Sequence, residues 1–253
     1  MNLTLTGRPA STAVICDANE HASGEAKSSI ASSLILCDVV HKYAVEATSR
    51  IIMRTSTEST KKPRGRPRSF DTAEVLERVR SVFMEKGFAA TSLDELSEAA
   101  GLNRPSLYAA FGDKEQLYIQ ALRFYGTKSV EALDTILASA GSIEQRLGKV
   151  YMAAIDLYTA PPTKLGCMIV GTAAVESPTH PKIAAAAAEL LANIEKSLER
   201  AFAASELPPE PTPAARARMA GAIMYAIAIR ARIGMKAAEL RAFANSMVPV
   251  ICR

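Results

Sequence analysis

Arg104, Ser106 and Tyr108 lie in the run N-R-P-S-L-Y, Asn103 to Tyr108. In a helix, Leu107 and Phe111, four apart, turn inward and leave those three polar side chains outward near its N-terminal end. Such groups suit hydrogen bonding to DNA. Arg104 can fork onto guanine O6 and N7, a contact worth about 1–3 kcal/mol of discrimination. The Tyr108 hydroxyl and the Lys114 ammonium suit backbone contacts, which position a protein without reading sequence. Upstream, K-K-P-R-G-R-P-R (Lys61 to Arg68) concentrates five cations in eight residues. Its prolines and glycine keep it extended and narrow. Arg64 and Arg66, flanking Gly65, can follow the floor of an A·T-rich minor groove, as in an AT-hook. A solvated basic linker touching phosphates without selectivity is the plainer alternative.

These side chains need a scaffold, and T-S-L-D-E-L-S-E-A-A-G-L-N-R-P-S-L-Y-A-A-F (Thr91 to Phe111) reads as two short helices around a tight turn. Ser92 caps the first, with Glu95 three residues on as its reciprocal partner. Leu93, Leu96 and Ala100 share one face. Gly101 ends the helix, where a left-handed residue is needed. Asn103 caps the second helix, and Pro105 is tolerated in a first turn, where no N–H is missed. Apolar residues that lock two helices at an angle, with polar residues on the open face of the second, suit major-groove insertion. A preceding helix is expected over Thr72 to Lys86, capped by Asp71 with Glu74, burying Val75, Val79, Val82 and Phe83, and stopped by Gly87. Asp113, with Gln116, opens a fourth helix running past Leu133, a rigid connector able to transmit a shift to the DNA-reading pair.

Composition narrows the class. Of 253 residues 49 % are apolar, Ala dominates and β-branched runs are scarce, which favours an all-α protein. Cys16, Cys37, Cys167 and Cys252 are far apart without metal or disulfide spacing, so neither framework is indicated and a reducing cytoplasm fits. No apolar run reaches the roughly 18–20 residues of a membrane helix. Residues 1–60 show no sustained apolar period and are expected to be a disordered extension, with Met53 as an alternative start. Val39 to Ala47 is a weak helix candidate within it. Beyond Thr127, helices are expected between Gly141-Ser142 and Pro161-Pro162, over Gly166 to Glu176, from Pro181 to Phe202, over Ala214 to Ile233 and over Ala237 to Val248.

The segment from Arg68 to about Tyr125 resembles the N-terminal domain of TetR-type transcriptional regulators. The resemblance rests on F-M-E-K-G-F-A-A-T-S-L-D-E-L-S-E-A-A-G-L-N-R-P-S-L-Y-A-A-F-G-D-K-E-Q-L. It implies an all-α homodimer of about nine helices, usually a repressor released from a palindromic operator by a small molecule. The resulting division is an extension (1–60), a basic arm (61–68), a helix-turn-helix domain (69–129, with the motif at 92–111) and a helical ligand-binding and dimerisation domain (130–253). Carried over by position, Thr91 and Lys114 bind phosphates, Asn103, Arg104, Pro105 and Ser106 face base edges, and Tyr108 reaches the backbone. Where the family often has His or Tyr before the final Phe, this chain has Ala110.

The second half carries no motif of its own. Ala214 to Ile233, apolar over most of its circumference and rich in small residues, is the candidate dimer helix. Tyr151, Ile155, Tyr158, Cys167, Met168, Met224 and Tyr225 are the candidate lining of an apolar effector cavity, though such residues at helical spacing also serve as plain core. Cys167 reads either as a sensor thiol or as a small apolar filler. No cofactor is expected. Two other functions compete: an enzyme fused to a DNA-binding head, and an architectural DNA protein using its basic arm. Against the first, the histidines (His21, His41, His180) form no cluster, and no phosphate loop or activated nucleophile is present. Against the second, DNA wrapping needs no apolar helical domain.

Overall fold

The computed structural model describes residues 70–160 and 166–253. The expected extension (1–60), its helix candidate and the arm with Arg64 and Arg66 lie outside the described residues.

Four helices follow the sequence signals closely. Helix α1 (Thr72–Ala90) starts at Asp71, whose carboxylate accepts from the backbone N–H groups of Ala73 and Glu74. Glu74 does not return the bond; it pairs with Arg78 one turn on. At Gly87 (φ 80°, ψ 173°) the helical path breaks, and one further turn reaches Ala90. Helices α2 (Leu93–Ala100), α3 (Arg104–Phe111) and α4 (Lys114–Leu137) begin at Ser92, Asn103 and Asp113. Their inward residues, Val79, Phe83, Leu96, Ala100, Leu107, Phe111, Leu117 and Tyr118, form one buried core. Val82 packs against it only partly buried.

The rest is a helical body built on α4. It comprises α5 (Ile143–Thr159), a π-helical turn (Ile169–Ala173) running into α6 (Ala174–Glu176), α7 (Pro181–Ala203), α8 (Pro213–Arg232) and α9 (Ala237–Ile251). Among the described residues there are thus nine α-helices and no strand, an all-α fold. The stripe of α7, from Ile183 through Leu190 and Ile194 to Phe202, is buried between α4 and α8. α4 passes so close to α7 at Gly126 that a Cβ there would run into both Leu190 methyls. α9 packs on α5 and α8.

Helix α9 continues three residues beyond the Val248 boundary, through Pro249. The reason is tertiary. The Arg216 guanidinium of α8, 1 % exposed, donates to the Ile251 carbonyl and thereby satisfies an end that proline would otherwise fray.

Candidate nucleic-acid interface

The reading pair is held by its own caps. Ser92 Oγ accepts from Glu95 N (3.3 Å), and Glu95 Oε2 accepts from Ser92 N (2.8 Å). Glu95 also pairs with Lys86 of α1. That ammonium, then the Ser92 N–H, lowers the Glu95 pKa from its ordinary 4.5 to about 2. At the turn Gly101 is left-handed (φ 65°), and its N–H donates to Glu98 O (3.0 Å) while Leu102 N donates to Ser97 O (3.1 Å). Asn103 Oδ1 accepts from Ser106 N (2.8 Å), so that carbonyl is engaged in fixing α3 rather than in reading DNA. Its amide end is the part left for a base edge. Gln120 Nε2 closes the other end of α3 on Phe111 O (2.8 Å).

Arg104, Pro105 and Tyr108 are exposed at the start of α3, with Ser106 beside them half-buried. Arg104 is not loose: its Nε donates to Asp94 Oδ1 of α2 (2.6 Å) and its Nη2 pairs with Oδ2. Lys114 lies over the Phe88 ring (4.6 Å) with Nζ 3.4 Å from Ala89 O. Burial there lowers its pKa, opposed by Glu176 and Glu95. Thr91, placed on a phosphate by the resemblance, is 2 % exposed, and its hydroxyl donates to Gly87 O (2.6 Å). In this conformation Thr91 secures the end of α1. Ala110 is half-buried against the core.

Several contacts join this head to the helical body. Tyr118 OH and Thr172 Oγ1 are 2.6 Å apart and buried. Since the Thr172 hydroxyl donates to Met168 O (2.9 Å), Tyr118 is the donor of the pair. Glu176, also buried, accepts from Ala89 N (3.3 Å), with His180 Nδ1 3.6 Å away. Arg232 Nη1 donates to Met84 O (3.3 Å). Sequence reasoning passed over Asp94, Glu176 and Thr172. Their partners lie ten or more positions away, beyond the reach of any local period.

A cavity of about 80 Å³ opens between α4 and α5. Tyr125, Ser129, Leu133, Tyr158, Cys167 and Met224 are among its lining, and no Asp, Glu, Lys or Arg is. Burial, then the neighbouring Cys167, pushes the Tyr125 and Tyr158 phenols well above the usual tyrosine range, so both are neutral. Of the seven expected lining residues, Tyr158, Cys167 and Met224 meet here. Ile155 and Met168 are buried in the core behind it. Tyr151 donates to Ala220 O (3.1 Å), while the Tyr225 hydroxyl is buried without a hydrogen-bond partner among the described residues. No metal-binding cluster is found among the described residues, and no described helix is long and apolar enough to cross a membrane.

The sequence profile of the bacterial regulatory proteins of the tetR family matches residues 75–121. The similarity extends well past that head. The HTH-type transcriptional repressor ComR of Escherichia coli K12 is 30 % identical over 196 residues, spanning 76 % of this chain and 93 % of ComR. The chain belongs to the tetR family. It is a DNA-binding transcriptional regulator, and its fold is that of solved family structures. The TetR family regulator CifR, a cysteine mutant complexed with 26-base-pair operator DNA, matches with a TM-score of 0.62 at 24 % identity, covering 73 % of this chain and 98 % of that one. The reduced form of Escherichia coli NemR matches with a TM-score of 0.65 at 20 % identity, over 71 % and 95 % of the two chains.

Proposed function

We propose that this tetR-family regulator is a cytoplasmic, non-enzymatic repressor. Two copies bind a palindromic operator and leave it when a small uncharged molecule enters the cavity. Residues 69–129 form the reading head and 130–253 the effector and pairing domain. The observation that carries this reading is that one helix serves both ends. α4 holds Lys114 and Tyr118 in the head and Tyr125 and Leu133 in the cavity wall. The cavity floor, Cys167 and Ile169, continues into the π-turn and α6, whose Thr172 and Glu176 touch the head. The cavity of about 80 Å³ is bounded on two sides by α4 and α5. An occupant that pushes α4 and α5 apart moves the head, because α4 runs from the cavity wall into it. With no ionised side chain in the lining, a charged occupant would be left unpaired at high cost.

Pairing is supported by apolar residues along α8 and just past its end: Met219, Ile229 and Ile233 stay 37 %, 51 % and 76 % exposed, with Val250 of α9 47 % exposed. Such residues on a helix whose other side is buried by its own chain suit a self-complementary contact. That contact would set two heads one DNA turn apart. The test is Ala154→Phe, which fills the cavity without needing the effector's identity. The operator is first recovered by sequencing DNA co-purified with the protein. The filled variant, still dimeric by light scattering, is expected to bind that operator at least tenfold more weakly. Unchanged operator affinity, or a footprint with no two-fold symmetry, would refute the reading.

A further inference from the structure

We propose that Asp94 determines DNA specificity indirectly, by holding the Arg104 guanidinium side-on so that its outer edge meets guanine. The inference rests on the reading that Arg104 faces base edges. Asp94 takes the Nε edge: Nε donates to Oδ1 at 2.6 Å and Nη2 pairs with Oδ2. A guanidinium has five N–H groups, so this fork leaves both protons of Nη1 and one of Nη2. One Nη1 proton and the remaining Nη2 proton lie along the adjacent edge, the one that forks onto O6 and N7 of a guanine. Arg104 can therefore satisfy Asp94 and a base together.

A plain structural role accounts poorly for this pair. The two helices are already locked by buried Leu96, Ala100, Leu107 and Phe111, and each starts at its own side-chain cap. Both partners are exposed, Arg104 by 54 % and Asp94 by 72 %, where ion pairs contribute little to stability. A carboxylate on this face also repels phosphates and lowers affinity for every duplex. What it gives in return is order. A free arginine has many rotamers to lose before it can fork, whereas one held at Nε and Nη2 has lost most of them already. Asp94 is thus a positioning residue, trading general affinity for discrimination at one base pair.

The experiment measures binding of the full chain to its recovered operator, to duplexes changed at one base pair of each half-site, and to random duplex, all at one salt concentration. Asp94→Ala is expected to cut discrimination at a single position by roughly three- to thirtyfold while raising affinity for random duplex. Asp94→Asn, which keeps one acceptor but no charge, should retain part of the discrimination and show the same rise on random DNA. In an Arg104→Ala background, Asp94→Ala should leave discrimination unchanged. If Arg104→Ala abolishes discrimination but Asp94→Ala does not reduce it, the inference about Asp94 fails alone. Equal losses on operator and random duplex would make Asp94 merely structural. If Arg104→Ala itself leaves discrimination intact, the base-reading role falls and this inference with it.

Discussion

Arg216 is a buried cation held by main-chain oxygens, and replacing it tests how the α8–α9 end is held. Its Nε donates to Pro211 O (2.8 Å) and its Nη1 to Ile251 O. Its Nη2 is shared among Pro208 O (3.2 Å), Glu210 O (3.1 Å) and Arg253 O (2.7 Å). Removing the side chain with Arg216→Met takes away the charge itself, so no lone ion remains buried. What remains is carbonyls. Those of the Pro208–Pro211 loop can turn to water, because its residues are half-buried or exposed. The Ile251 carbonyl loses a partner at a buried site, at about 1–3 kcal/mol, whereas that of exposed Arg253 can turn to water. The expected destabilisation is therefore about 1–3 kcal/mol rather than the ~3–5 kcal/mol of a broken buried ion pair. Arg216→Lys separates geometry from charge. It keeps a buried cation with only three donors on a tetrahedral head, and should cost at least as much as Arg216→Met. Urea unfolding at one fixed protein concentration measures both, since pairing makes stability concentration-dependent. A lysine variant within about 0.5 kcal/mol of the parent, well inside the loss assigned to one orphaned carbonyl, would show that the planar fork does not hold this end.

Further expectations concern pairing, coupling and pH. Ile233→Glu places a charge just past the end of α8, among these exposed apolar residues, and should yield a folded single chain by light scattering, with operator affinity lowered at least tenfold. A dimer that persists would move the interface elsewhere. Tyr118→Phe removes the donor to Thr172 and should cost about 0.5–1.5 kcal/mol. It should also weaken the effect of Ala154→Phe on operator binding, whereas an unaltered effect would place the coupling outside this contact. The Glu95 pKa, lowered from 4.5 to about 2 mainly by Lys86, contributes stability that is present above pH 4.5 and is lost as pH falls towards 2. Glu95→Gln should flatten acid unfolding curves in that window, and superimposable curves for parent and variant would argue against the assignment.

Much of the head was legible because its signals are local. Ser92 with Glu95, Asn103 before Arg-Pro, and Asp113 with Gln116 are bonds across three residues, readable from spacing. The αL requirement at Gly101 is equally local. Leu96, Leu107 and Phe111 point inward because helical period leaves them no alternative. Local rules failed where a second partner, near or distant, competed. Glu74 turned from its expected cap bond to Arg78, Thr91 turned in to Gly87, and α9 ran through Pro249 to Ile251, whose carbonyl Arg216 takes up.

The chain's order of caps, glycines and apolar stripes determines by itself an all-α fold with a helix capped at Asn103, and the resemblance of that stretch to TetR-type regulators supplied the function. Only the tertiary structure decided that Asp94 holds Arg104, that three of seven candidate residues share a cavity, and that Thr172 and Glu176 join cavity to head. The physical reason is separation along the chain. A hydrogen bond over three or four residues is implied by helix geometry, whereas one over 54 or 87 exists only after the helices have packed.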